Sequence, residues 1–195
     1  MKIAGYNRDE GNEVTLIENY DELIFNSKDY DDIFLAKVFD FTNIPVKDLN
    51  RFKNLYIGGT GFFFDKAFGQ DHCLPDEIEH HMPYYRLYDN FIEHEMARGI
   101  KPGKFTDYQQ YSIGFTTRGC IRQCLFCVNQ NSEKVVRWSP VEEFHDHILP
   151  KIYLWDDNIL AFPGWEEVLD ELIGTGKPFS FRQGMDVRHL LTNCD

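Results

Sequence analysis

Three cysteines, Cys120, Cys124 and Cys127, stand at intervals of four and three within GFTTRGCIRQCLFCVNQ. Thiolates this close in sequence fit a compact loop that wraps one metal centre, and soft sulfur ligands select iron–sulfur clusters, zinc or copper. A structural zinc site usually takes four ligands arranged as two pairs. Cys124-Leu125-Phe126-Cys127 supplies one pair and a second is missing. Cys73 and Cys194 are isolated, and His145 and His147 would have to fold back from a predicted helix. Three thiolates suit a cubane [4Fe-4S] cluster that leaves one iron open, just as catalytic zinc keeps an open position. Zinc and incidental cysteines are the competing readings.

The elements that must position this loop follow from hydrophobic pattern. Tyr111 to Thr116 reads as a strand feeding directly into the cysteines. Ser139-Pro140-Val141-Glu142 looks like a capping box with proline at the first helical position, which predicts a helix to about Leu149. Ile152 to Trp155 is a second strand, ending at Asp156-Asp157-Asn158. Trp165, Val168, Leu169, Leu172 and Ile173 mark one face of an amphipathic helix stopped by Gly174 and Gly176. Phe179 to Gln183 is a third strand. The succession of strand, loop, helix, strand, helix and strand is that of the opening of a parallel barrel or sheet.

Upstream, Met1 to Glu10 predicts a short helix closed by Gly11. Val14 to Ile17 suggests a short strand and Ile33 to Phe41 a longer, buried one. Pro45 opens a brief helical stretch, Val46 to Phe52. Leu55-Tyr56-Ile57 is a strand ending in Gly58-Gly59-Thr60-Gly61, a tight turn that matches neither a dinucleotide fingerprint nor a P-loop. Between Phe62 and Tyr108 one helix is expected, from about Tyr85 to Ala97, ended by Gly99. This predicts an α/β chain: a small open α/β sheet over 1–84, a linker with a helix over 85–110, and β/α units over 111–195.

Composition narrows the partners. With 195 residues and 43% hydrophobic content the chain can bury a sizeable core. Its net charge of −12 and the lack of a Lys/Arg cluster argue against nucleic acid. No apolar run approaches the ~18–20 residues of a membrane helix, and the first residues do not resemble a signal peptide. Five cysteines, three of them clustered, do not resemble a disulfide framework. A reducing, cytoplasmic setting without membrane attachment is the expectation.

The C-x3-C-x2-C spacing on a loop straight after a first strand, with Phe126 before the last cysteine, resembles the signature of the radical SAM superfamily. YSIGFTTRGC, IYLWDDNILA and FRQGMDVR resemble a group of largely uncharacterised members in which a Rossmann-like, B12-binding-type region precedes the barrel, and YIGGTGF resembles part of that region. The resemblance implies an incomplete Rossmann-like region followed by the first β/α units of a partial (β/α) barrel. It also implies that Cys120, Cys124 and Cys127 ligate a [4Fe-4S] cluster whose open iron chelates S-adenosylmethionine. An electron passed to the sulfonium then breaks the C5′–S bond and yields a 5′-deoxyadenosyl radical. The protein supplies position, electrostatics and exclusion of water and oxygen. Phe126 would pack by the adenine. Asp156, Asp157 and Asn158 would bind the amine or ribose, with Asp157 or Asn158 favoured because successive strand residues point opposite ways. Gln183, Asp186 and Arg188 follow the third strand in the same fashion, and the Arg188 fork suits the cofactor carboxylate. Each set also has a structural reading, as caps or turn-holding residues. Gly119 would give the loop its turn and Arg118 would offset thiolate charge. A reductant protein such as a flavodoxin or ferredoxin is implied as a partner.

Two departures qualify the resemblance. The chain opens on a predicted helix and lacks D-x-H-x-x-G, since Asp71-His72 comes too late and has no trailing glycine, so cobalamin is not expected. The stretch from Tyr111 onward holds only about three β/α units at about 30 residues each. A truncated chain, or a partner chain completing the barrel, is therefore expected. Competing functions are a non-catalytic iron–sulfur or zinc module, and an inactive truncated fragment.

Overall fold

Lys151-Ile152-Tyr153-Leu154 alternates so that Ile152 and Leu154 share one face, and both are wholly buried there. The computed structural model describes residues 1–44, 51–63, 74–122, 124–127, 129 and 132–189, and these form a mixed α/β structure with small parallel sheets and no closed barrel. Contacts divide the chain into two units. One comprises Met1–Val14, Leu74–Leu125 and Asn129–Asp195, the other Thr15–Cys73 and Phe126–Val128.

The smaller unit holds helix α2 (Tyr20–Asn26) and strands β1 (Ile33–Ala36) and β2 (Leu55–Gly58), which pair in parallel with Ile33 opposite Leu55. The expected buried strand over Ile33 to Phe41 is shorter and more open. It ends at Ala36, and Phe39 and Phe41 are 57% and 80% exposed. The strand expected at Val14 to Ile17 does not form; that run is irregular. Hydrophobicity alone cannot make a strand where no neighbour accepts its backbone hydrogen bonds. Most of the Val46–Phe52 stretch lies outside the described residues, as do Asp71, His72, Cys73 and Cys194. The glycine turn after β2 has a packing explanation. Gly59 has φ +95°, and a Cβ there or at Gly61 would overlap the backbone of Lys37 or Phe39. Thr60 ties the turn to the Val38 carbonyl at 2.8 Å.

The larger unit begins with α1 (Lys2–Asp9), ended as expected before Gly11, whose φ is +87°. It packs on α3 (Asp76–Glu79), where Gly5 is close enough that a Cβ would overlap the Met82 carbonyl and Lys2 bonds Glu79. Helix α4 (Asp89–Ala97) starts four residues later than the pattern predicts, and α5 (Thr106–Gln109) leads into the sheet. Strands β3 (Tyr111–Gly114), β6 (Lys151–Leu154) and β7 (Phe179–Phe181) form the expected parallel sheet in the order β3-β6-β7. Between β3 and β6 a short antiparallel ladder, β4 (Thr117–Arg118) with β5 (Val136–Arg137), closes the base of the cysteine loop. One face of the sheet covers a core of Val141, Phe144, Ile152, Leu154, Ile159, Leu160, Val168 and Leu172. Helix α6 (Trp165–Gly174) supplies Val168 and Leu172, buried as its period predicts; Ile173 instead is 64% exposed. Each fully buried aliphatic side chain contributes roughly 1.5–3 kcal/mol.

The helix expected from Ser139 to Leu149 is a correction. Only one 3-10 turn forms, Val141–Glu143, followed by a loop. The capping role predicted for Ser139 fails, since its hydroxyl is buried without a partner among the described residues, and the Val141 N–H bonds Glu171 of α6 instead. Phe144, 1% exposed, turns inward over Gly114, where any Cβ would overlap its ring. Burying that ring outweighs helix continuation. Tyr85 secures the same place. Its hydroxyl donates to the Phe144 carbonyl at 2.6 Å and accepts the Ile113 N–H of β3 at 2.8 Å, and burial pushes its ionisation well above the usual phenol range. Among the described residues no helix is long and apolar enough to cross a membrane.

Candidate metal centre

β3 runs out at Gly114, and within six residues the chain reaches Cys120 at the same, carboxyl-terminal end of the sheet where β6 delivers Asp156, Asp157 and Asn158. Ligands of open α/β sheets gather at this end because successive strand–loop junctions converge there. The three β6-end residues take different tasks. Asp156, 1% exposed, accepts the Thr116 N–H at 3.1 Å, the Thr116 hydroxyl at 2.6 Å, the Thr117 N–H at 2.5 Å and the Thr117 hydroxyl at 2.7 Å. It pins the exit of β3 to β6 across 40 positions. Asp157 accepts the Gly119 N–H at 3.2 Å. Burial pushes its carboxyl up, against the lowering effect of Asn129, Gly119 and nearby Arg118.

Asn158, 2% exposed, donates its amide to Cys120 Sγ at 3.7 Å, while its Oδ1 is buried with no hydrogen-bond partner among the described residues. A buried acceptor left unpaired costs about 1–3 kcal/mol, so this oxygen is an opening for a donor from a ligand.

Cys120 is half-buried and held from several sides. Its N–H reaches Ser132 Oγ at 3.1 Å, and its sulfur accepts the Arg122 N–H at 3.4 Å. Gly119 before it has φ +102°, and a Cβ there would overlap the Lys134 carbonyl, so the turn expected of this glycine is a steric requirement. Arg118 lies with its guanidinium 3.3 Å from the centre of the Phe115 ring. Cys124 is exposed. Phe126, 87% exposed, and half-buried Cys127 belong to the smaller unit.

After β7, Gln183 is exposed, and Arg188 turns onto Asp186, with Nε 2.6 Å from one carboxylate oxygen and a terminal nitrogen 2.8 Å from the other. Arg122 of the cysteine loop approaches the same carboxylate at 2.8 Å. Arg188 and then Arg122 hold the Asp186 carboxyl well below the usual range. The turn-holding reading of Asp186 and Arg188 thus has direct support from geometry. Ser132, Arg122, Thr116 and Thr117 were not singled out from sequence. Arg122 alone carried a signal, a basic residue inside the cysteine interval.

Among the described residues no group of three or more His, Cys, Asp or Glu side chains is gathered to hold a metal ion. The donor chemistry does fit a sulfur-ligated centre. Cys120 Sγ accepts N–H groups from Arg122 and Asn158, and such donors orient a sulfur and offset charge on it. Comparison of the chain with protein-family models, curated proteins and solved structures returned no match.

Proposed function

We propose that the chain is a radical SAM enzyme, or the cluster-bearing part of one, with a Rossmann-like region preceding the first β/α units of a partial barrel. The observation that carries this reading is the cysteine loop at the carboxyl end of β3, with Asn158 of the neighbouring β6 end bonded to Cys120 Sγ and its Oδ1 unpaired among the described residues. Cys120, Cys124 and Cys127 hold the [4Fe-4S] cluster. When bound, the cluster supplies the electron that cleaves S-adenosylmethionine.

The residues of the chain orient and shield. Asn158 Oδ1 would accept a hydrogen bond from a bound cofactor, the methionyl amine being the natural donor. Asp157 lies beside the same loop and can share that task. Asp156 acts through Thr116 and Thr117, holding the strand exit on which the first cysteine depends. Phe126 offers an exposed ring for the adenine. Gln183 and Arg188 are the further candidates beyond β7, and binding the cofactor carboxylate would require Arg188 to give up or share its bonds to Asp186.

Anaerobic purification and reconstitution test the reading. About four irons and four sulfides per chain, with dithionite-dependent release of 5′-deoxyadenosine, is the expected result, and replacing the three cysteines by alanine abolishes both. Iron without cofactor cleavage would leave a non-catalytic iron–sulfur module. One tightly bound zinc with no cleavage would overturn the proposal.

A further inference from the structure

Arg122 occupies an unusual place in the loop. Its backbone N–H reaches Cys120 Sγ at 3.4 Å, while its side chain crosses 64 positions of sequence to Asp186 beyond β7, Nε and a terminal nitrogen each 2.8 Å from Oδ2. Asp186 is itself fixed. Arg188 bonds both carboxylate oxygens, the Arg188 N–H lies 3.3 Å from Oδ1, and His189 stands 3.9 Å away. Only 12% of the Asp186 side chain is exposed, against 40% for Arg122.

A single exposed ion pair contributes little. A carboxylate gripped by two planar guanidinium forks is different, because the forks define direction as well as distance. Other ties at Cys120 are Ser132 on its own N–H, Asp157 on the Gly119 N–H and Asn158 on its sulfur. Among the described residues Arg122–Asp186 holds the chain on the carboxyl-terminal side of the cysteine.

We propose that Asp186 is a positioning residue that latches the metal-free cysteine loop to the end of β7 through Arg122 and so keeps the Cys120 thiol seated before any metal arrives. This goes beyond the cluster reading, since it concerns the order of the apo loop. Arg188 takes part by orienting the carboxylate.

The test is peptide-resolved alkylation of the reduced, metal-free full chain with iodoacetamide, followed by mass spectrometry. Cys124, already exposed, is the internal reference. Asp186→Asn is expected to speed Cys120 alkylation about fivefold, the change in a local opening equilibrium that loss of a partly buried, shared ion pair produces. Cys124 changes by less than about twofold, since it needs no opening to react. Arg122→Gln matches Asp186→Asn, and Asp186→Glu retains the slow rate. An unchanged Cys120 rate in Asp186→Asn overturns the latch. So does an Asp186→Glu chain that reacts as fast as Asp186→Asn. If Asp186→Asn unfolds, as far-ultraviolet circular dichroism would show, Arg122→Gln and Asp186→Glu decide by the same criteria. A wild-type chain that never binds iron would sink the cluster reading and leave this result standing. Unchanged alkylation in a chain that assembles its cluster would sink the latch alone.

Discussion

Replacing Asp156 should uncouple β3 from β6 at the point where the cysteine loop departs. The side chain is 1% exposed and satisfies two backbone N–H groups and two hydroxyls. In Asp156→Ala the threonine hydroxyls can rotate, but the Thr116 and Thr117 N–H groups cannot. Two orphaned buried donors cost about 1–3 kcal/mol each, or roughly 4 kcal/mol in all. For a chain of this length 1 kcal/mol moves the midpoint by about 2–4 °C, so the expected drop is roughly 8–16 °C. Asp156→Asn is the sharper probe. Its Oδ1 can keep the Thr117 contacts, while an amide NH2 faces the Thr116 N–H in place of an acceptor. One lost bond then predicts about 1–3 kcal/mol. Urea denaturation of the three chains, followed by tryptophan fluorescence, measures both values. If Asp156→Ala and Asp156→Asn both unfold within about 0.5 kcal/mol of the wild type, the range of an ordinary surface substitution, the pin does not exist as described.

Tyr85→Phe removes a hydroxyl that serves both the Phe144 carbonyl and the Ile113 N–H; a loss of about 1–3 kcal/mol is expected in the same denaturation assay. His145 gives a pH signature. Burial, then His147 and Lys177, lower its pKa, with Asp146 opposing. The folded chain therefore binds this proton less readily than the unfolded chain. Stability is full above the unfolded histidine value of about 6.5 and falls as pH drops below it. Equilibrium unfolding between pH 7.5 and 5.5 should show that slope, and His145→Gln should flatten it. An identical slope in both chains would count against the assignment.

Much of the sheet was legible because its signals are local. Tyr111–Gly114, Lys151–Leu154 and Phe179–Phe181 are short apolar runs with clear boundaries, and α6 displays its face in Val168 and Leu172. The segment after Ser139 misled because its capping pattern is also local, whereas what decides its shape is the Phe144 ring meeting the bare Gly114. The upstream apolar runs misled in a similar way, since a strand needs a partner that composition does not reveal. At the site, the cysteine spacing and the Asp156–Asn158 cluster were visible in the sequence. Their division of labour was not. Asp156 differs from Asn158 only through Thr116, Thr117 and Cys120, all about 40 positions earlier. Asp186 likewise acquires its meaning from Arg122, too distant for any motif to connect.

The Tyr85 hydroxyl gives the sheet a direction. A parallel sheet extends wherever an edge strand leaves its N–H and C=O groups free. At β3 the Ile113 N–H is already taken by a phenol, and the neighbouring Ser112 hydroxyl is engaged with the Asp146 backbone N–H at 3.0 Å. Among the described strands β7 is the opposite edge. The Tyr85 hydroxyl thus occupies an edge N–H of β3 that a further strand would need. At that position Tyr85 acts as a side-chain stop to the sheet.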